Sequence, residues 1–319
     1  MKCSIIIPYA YSHESAIRLF HSLENQDFSK SDYELIFVNY GRKDSLDEYF
    51  ARQSERLRVR YVPLYGSTVG EAKNLGVRKA SGELVIFING SEIASGSFVS
   101  EHYNSYKQYG RSVMQFGINK LVFEDCKEVF NENAKIFGND IRYWLTEPEK
   151  YGLDKNKSYY YIKDIRLKML EIYHYDFDKV HYKMLFTQTS NLSVPMECIR
   201  RFGGIDETLH VQETEDWEFG YRMMKNGVEI VYNAHAAVLR PYKTELFDSR
   251  RCIEWRKDLD IMLKKYNDCF LDELNKFVSF FDPVRRSDLK NSGTSRDIWL
   301  DVYKQLEHSA GTGSLAEAI

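Results

Sequence analysis

The first ninety residues alternate short apolar runs with amphipathic stretches, and this alternation constrains the fold more than any other feature of the chain. Residues 3–7 form an apolar run of the kind buried on both faces of a parallel sheet. Ser12 is placed to cap a helix in which Ala16, Leu19, Phe20 and Leu23 recur at i, i+3, i+4 and i+7. Residues 35–38, 59–64 and 84–88 read as further strands. Between them, Leu46, Tyr49 and Phe50 mark a second helix, and residues 68–80 a third that Gly82 ends. Strands alternating with helices predict a parallel, doubly wound sheet. Ligands in such sheets bind beyond the carboxyl ends of the strands. Chemistry is therefore expected near Pro8, Tyr9 and Tyr11, near Asn39, Tyr40 and Arg42, and near Asn89, Gly90, Ser91 and Glu92.

The rest of the chain is less regular. A strand pair is expected over residues 113–130 and a strand over 187–194. A short helix over 199–204, a helix over 215–225 and a strand over 228–232 follow. Residues 249–305 read as helical, with Ile253, Trp255, Leu259, Met262, Leu263 and Tyr266 on one side and Pro283 as an interruption. The tail from residue 308 is small and polar and is expected to be disordered.

Of the 319 residues, 43% are hydrophobic and 29% charged, enough apolar mass for a core. A net charge of −3 lacks the basic surplus of a nucleic-acid-binding protein. The basic residues among positions 250–265 are interleaved with acidic ones and read as a solvated helix face. The five cysteines, with no C-x-x-C pair, suggest neither a disulfide framework nor a zinc site. No apolar run nears the ~20 residues of a membrane span. The amino terminus enters a strand directly, without the layout of a secretory signal. A cytoplasmic protein is expected, meeting any membrane-bound substrate peripherally at the inner face.

Five segments, in order and spacing, carry a resemblance. SIIIPYA, YELIFVNYG and GEAKNLGVRKASGELVIFINGSE resemble the nucleotide-sugar-binding half of family 2 glycosyltransferases. SNLSVPMECIRRFGGIDE and TEDWEFGYRMMKNGVEIVYNAHAAV resemble the acceptor-side half. The resemblance spans about residues 3–240. It implies an α/β fold of GT-A type: a doubly wound, mostly parallel sheet flanked by helices, with a helical C-terminal extension. The expected boundaries are a GT-A domain over 1–245, divided at 96/97 into donor and acceptor halves, an extension over 246–307 and a tail over 308–319.

The implied reaction moves a sugar from a nucleoside diphosphate to an acceptor hydroxyl, with inversion. It needs a base for the acceptor proton and a positive charge for the departing diphosphate. Glu215 and Asp216 match the family's acidic pair, which makes Asp216 the implied base. Acidic residues also favour first turns of helices for dipole reasons alone. Trp217 and Asn191 fall on the acceptor side, where Trp217 reads equally as a lining or a packing residue.

The match breaks at the cation. The family's Asp-x-Asp carboxylates hold a divalent metal, Mg²⁺ or Mn²⁺, on the diphosphate, and here the matching residues are Asn89, Gly90 and Ser91. The second strand ends in Asn39 and Tyr40 instead of aspartates. Arg240 stands where a histidine is common, with His235 nearby. No cofactor is certain, and a metal-independent transferase is one expectation, with Arg240 and Lys73 neutralising the diphosphate. The other is an inactive domain that binds or scaffolds an active glycosyltransferase. Nucleotidyl transfer is disfavoured, since no glycine-rich loop follows the first strand.

Tyr40 either stacks on a nucleobase or fills the space of an absent one. Tyr143, Trp144, Tyr159, Tyr160, Tyr161, Tyr173, Tyr175 and Tyr182 read as packing more than as a sugar platform. His174 and His181 have the spacing to share a helix face but lack an acidic partner for a metal. The expected partners are a nucleotide-sugar donor, a glycan, lipid-linked or small-molecule acceptor, and a second copy of the chain, with no nucleic acid.

Overall fold

The computed structural model describes residues 1–10, 13–53, 57–110, 112–123, 161–162, 164–242, 249–280 and 303–304. Ser12, Pro283, Tyr143, Trp144, Tyr159, Tyr160 and the tail from residue 308 lie outside this set. The first half follows the alternation of the sequence: β1 (Cys3–Tyr9), α1 (His13–Glu24), β2 (Tyr33–Asn39), α2 (Leu46–Gln53), β3 (Arg58–Pro63), α3 (Val69–Lys79) and β4 (Leu84–Ile88). Helix α3 starts as its sequence signals. Thr68 accepts from the Glu71 N–H, and the Glu71 side chain returns to the Thr68 N–H, a capping box that satisfies two end donors.

The second half contains β5 (Ile93–Ala94), α4 (Phe98–Tyr109), β6 (Val113–Phe123), β7 (Tyr161–Ile162), α5 (Ile165–Glu171), β8 (Asn191–Pro195), α6 (Met196–Phe202), α7 (Gln212–Lys225), β9 (Glu229–Tyr242), α8 (Ser249–Tyr266) and α9 (Cys269–Phe280). All strands join one sheet, ordered β3-β2-β1-β4-β8-β6-β9-β5, with β7 beside β6. Strands β1 to β4 pair in parallel. Strand β8 then runs antiparallel to β4 and β6, and β9 returns parallel to β6.

Side chains alternate across the sheet, so each central strand feeds two cores. Ile6, Ile36, Val38, Val85 and Phe87 face a core shared with α3 and α5 to α9. Ile5, Ile7, Leu35, Phe37 and Ile86 face one shared with α1, α2 and α4. The sheet is thus sandwiched between helical layers, as an α/β fold requires.

Several expectations change. The described part of 113–130 is one continuous strand, β6. The strand expected from residue 187 starts at Asn191, because Thr187 and Thr189 hydrogen-bond to α7 instead of extending the ladder. Helix α7 starts three residues before Glu215, at Gln212, and β9 is far longer than expected. The C-terminal helical stretch breaks at Asn267, which takes the left-handed conformation with φ of 49°. Leu259 and Met262 are buried as expected, whereas Ile253 is exposed. His174 and His181 share no helix, since α5 has ended and His174 sits in a left-handed turn.

Candidate active site

The carboxyl ends of β1, β2 and β4 meet at one rim. The Tyr40 N–H donates to the Tyr9 carbonyl at 3.1 Å, and the Gly90 N–H to the Pro8 carbonyl at 3.1 Å. Gly90 is needed there, since a Cβ would stand 2.4 Å from the Tyr9 Cβ. Asn89 is half-buried and Ser91 exposed. Tyr40 packs against the larger core, and Tyr11 lies outside the described residues.

A carboxylate not singled out in the sequence organises this rim. Asp44 Oδ2 accepts from the Tyr9 hydroxyl at 2.9 Å and from Asn39 Nδ2 at 3.0 Å. Its Oδ1 accepts from the Tyr61 hydroxyl at 3.0 Å and from the Leu46 N–H, at the start of α2, at 3.1 Å. His13 Nε2 stands 3.2 Å from it. Asn39 is committed internally as well, with its Oδ1 accepting from the Gly41 N–H and its amide also donating to the Arg42 carbonyl.

The acidic pair lies at the start of α7, against the same part of the sheet. Asp216 Oδ1 accepts from Lys73 Nζ at 3.0 Å and from Thr189 Oγ1 at 2.8 Å, and its Oδ2 from the Thr189 N–H at 3.0 Å. Thr189 is two residues before Asn191, whose register partner is Ile88, immediately before Asn89. That register puts Asp216 beside the end of β4. Glu215 Oε2 stands 3.5 Å from Lys73 Nζ. Burial pushes the Glu215 carboxyl up to about 7 against the pull of Lys73. Burial also raises Asp216, with Lys73 and Thr189 opposing the shift. Lys73 is fully buried, with its ammonium on these two carboxylates.

Glu92 and Arg240 form a second charged contact at the rim. Arg240 Nε is 3.9 Å from Glu92 Oε1, and Glu92 Oε2 accepts from the Asn89 N–H at 3.0 Å. Glu92 is fully buried, and burial pushes its carboxyl up to about 8. Near neutrality the acid is therefore largely protonated and does not itself cancel the charge of the half-exposed Arg240. His235 sits apart, exposed, at the irregularity of β9 opposite Gly117 and Ile118.

The remaining candidates pack. Asn191 is buried, taking His102 Nε2 on its oxygen and donating to the Ile118 and Ala236 carbonyls. Trp217 is buried against Trp255 of α8, with ring centroids 5.8 Å apart. Tyr182 stacks on Phe270 at 4.3 Å and donates to Glu273, while Tyr175 is exposed.

Helix α8 reaches the amino end of α7. Asp258 is fully buried and accepts from the His210 N–H at 3.0 Å, the Val211 N–H at 2.9 Å and the Thr214 hydroxyl. These donors lie at or just before the first turn of α7, whose N–H groups lack intrahelical acceptors.

A divalent cation calls for charged oxygen ligands. The end of β4 offers the Asn89 amide and the Ser91 hydroxyl, and Glu92 is turned inward. Among the described residues, no group of three His, Cys, Asp or Glu side chains gathers to hold an ion. The donor set here does not fit the family's metal. No described helix is long and apolar enough to cross a membrane.

Comparison with known proteins agrees with this architecture. Residues 4–169, just over half of the chain, match the family model for glycosyl transferase family 2. Validoxylamine A glucosyltransferase of Streptomyces hygroscopicus subsp. limoneus is 25% identical over 229 residues, 70% of this chain and 48% of that protein. The chain thus spans about half the length of this relative. The uncharacterized glycosyltransferase YfnE of Bacillus subtilis is 25% identical over 325 residues, covering 96% of this chain and 79% of YfnE. Among solved structures, S. aureus TarS 1–349 in complex with UDP-GlcNAc superposes with a TM-score of 0.60 at 14% identity, over 99% of this chain and 93% of TarS 1–349. The likeness to TarS concerns the fold.

Proposed function

Because the chain belongs to glycosyl transferase family 2, we propose that it transfers a sugar from a nucleoside diphosphate to an acceptor hydroxyl, with inversion and without a divalent metal. The observation that carries this reading is the acidic pair at the start of α7, held beside the end of β4 by Lys73 and Thr189. In the proposed step, Asp216 takes the proton of the acceptor hydroxyl. The acceptor oxygen bonds to the anomeric carbon from the face opposite the diphosphate. The carbon–oxygen bond to the diphosphate breaks, and its electron pair leaves with the phosphate. A fixed positive charge near that oxygen stabilises the departing anion, and Arg240 is the residue for it. Its planar donors suit paired phosphate oxygens, and the neutral form of Glu92 leaves its charge available.

The internal engagement of Asn39 leaves the nucleobase to be read by other groups at the rim. The donor class is a nucleoside diphosphate sugar, in line with the UDP-GlcNAc bound to TarS. The acceptor is a glycan, a lipid-linked or a small-molecule hydroxyl.

The test is product formation from a panel of nucleoside diphosphate sugars, with and without excess chelator. The reading expects turnover to persist in chelator and Arg240→Ala to lower it by at least about a hundredfold. Activity that appears only with Mn²⁺ overturns metal independence. A chain that neither turns over nor binds any of these nucleotides is a scaffold.

A further inference from the structure

The buried position of Lys73 assigns it a role apart from the donor diphosphate. We propose that Lys73 is a positioning residue that fixes the orientation and the ionised state of Asp216, so that a side chain from the donor half governs the base of the acceptor half.

The geometry carries this. Lys73 lies on α3, which packs against β1 and β2, whereas Asp216 and Glu215 belong to α7. The Lys73 side chain is fully buried and its ammonium sits between the two carboxylates, 3.0 Å from Asp216 Oδ1 and 3.5 Å from Glu215 Oε2. The ammonium is engaged by both carboxylates, and contact with a diphosphate would draw it away from them. Gly70 and Lys73, at i and i+3, share one face of α3. A Cβ at Gly70 would stand 3.1 Å from Glu215 Oε1, so this face is shaped to receive the acidic pair.

Electrostatics points the same way. Burial raises Asp216, and Lys73 is the largest opposing influence, ahead of the Thr189 hydrogen bonds. A base must be ionised before it can accept a proton. The charged groups facing the pair are Lys73 from α3 and Asp258 from α8, and Asp258 pushes Glu215 upward. Lys73 opposes the upward shift of both carboxyls, and its closer contact is to Asp216, at 3.0 Å against 3.5 Å to Glu215.

This inference rests on Asp216 as the base, so its test includes a readout independent of turnover. The full-length chain, labelled with ¹³C at aspartate carboxyls, is titrated by NMR, with the Asp216 signal assigned from Asp216→Asn. In Lys73→Met, Asp216 is expected to titrate at least about one pH unit higher than in wild type, and in Lys73→Arg close to wild type. With a donor that wild type turns over, Lys73→Met is expected to move the acid limb of the kcat profile upward. It should lower kcat at neutral pH at least about tenfold, with donor KM changed less than about threefold.

An Asp216 titration unmoved by Lys73→Met overturns the proposal, as does a variant whose loss lies in donor KM alone. Should Lys73→Met fail to melt cooperatively, Lys73→Arg decides: kcat lowered with the acid limb unmoved supports it, and wild-type kcat with raised donor KM overturns it. A wild-type chain that turns over no donor sinks the proposed function instead, and the NMR titration remains readable.

Discussion

Asp258 of α8 accepts a hydrogen bond from the Val211 N–H at 2.9 Å and thereby closes the amino end of α7, the helix that carries the acidic pair. A residue of the C-terminal helices thus completes an element that precedes them in the chain. Asp258→Ala would leave the His210 and Val211 N–H groups without their acceptor and the Thr214 hydroxyl with the Val211 carbonyl alone. A loss of about 2–4 kcal/mol is expected, combining a lost cap with buried groups left unpaired. Urea unfolding measures it, and the variant should bind nucleotide as wild type does while losing turnover.

Asp216→Asn keeps the shape of the side chain and removes the proton acceptor. A fall in kcat of about 10²–10⁴ is expected, the usual contribution of a general base. Glu215→Gln should cost far less, because its contact with Lys73 is the longer of the two, 3.5 Å against 3.0 Å for Asp216. Calorimetric affinity for the nucleotide should be close to wild type in both variants. Equal losses in the two would remove the distinction drawn between them.

The buried acids give stability a pH dependence whose sign is fixed. Burial raises Glu92 from 4.5 to about 8 and Glu215 from 4.5 to about 7. Each binds its proton more tightly folded than unfolded. Their stabilising effect is complete below about 4.5 and is lost as pH rises through 7 and 8. Glu34, Asp206, Glu218 and Asp268 are shifted down, and their contribution is lost only in acid. The melting temperature should therefore fall between pH 5 and pH 8, and Glu92→Gln should flatten that slope. Melting curves across this range check it, and an unchanged slope in Glu92→Gln would contradict the assignment.

Packing between the C-terminal helices and the sheet layer is also measurable. Leu259 is fully buried in the larger core. Leu259→Ala should destabilise the fold by about 2–5 kcal/mol, as truncation of a buried leucine does. A loss below about 1 kcal/mol would mean that α8 is only loosely docked.

Much of the first half was legible because period and punctuation act locally. Ala16, Leu19, Phe20 and Leu23 mark the buried face of α1, and the helix expected over 68–80 is α3, Val69–Lys79. The acidic pair was visible as a motif. Its surroundings were not, because Lys73 meets Asp216 across 143 residues and no spacing rule links them. Asp44 and Asp258 are illegible for the same reason: each looks like one more acid in a polar stretch. Thr187 and Thr189 fall in the stretch expected as strand, and tertiary hydrogen bonds to α7 override the local β preference of such β-branched residues.

The convergence of Tyr9, Asn39, Tyr61 and the start of α2 on Asp44 means that this rim is rigid before any ligand reaches it. Side chains already immobilised have little freedom left to lose on association, which under the proposed function favours tight binding of a donor base that fits. The same stiffness makes the rim a poor learner. A base of another shape would meet interlocked groups that must move together, so broadening donor choice here calls for concerted replacement of the network around Asp44.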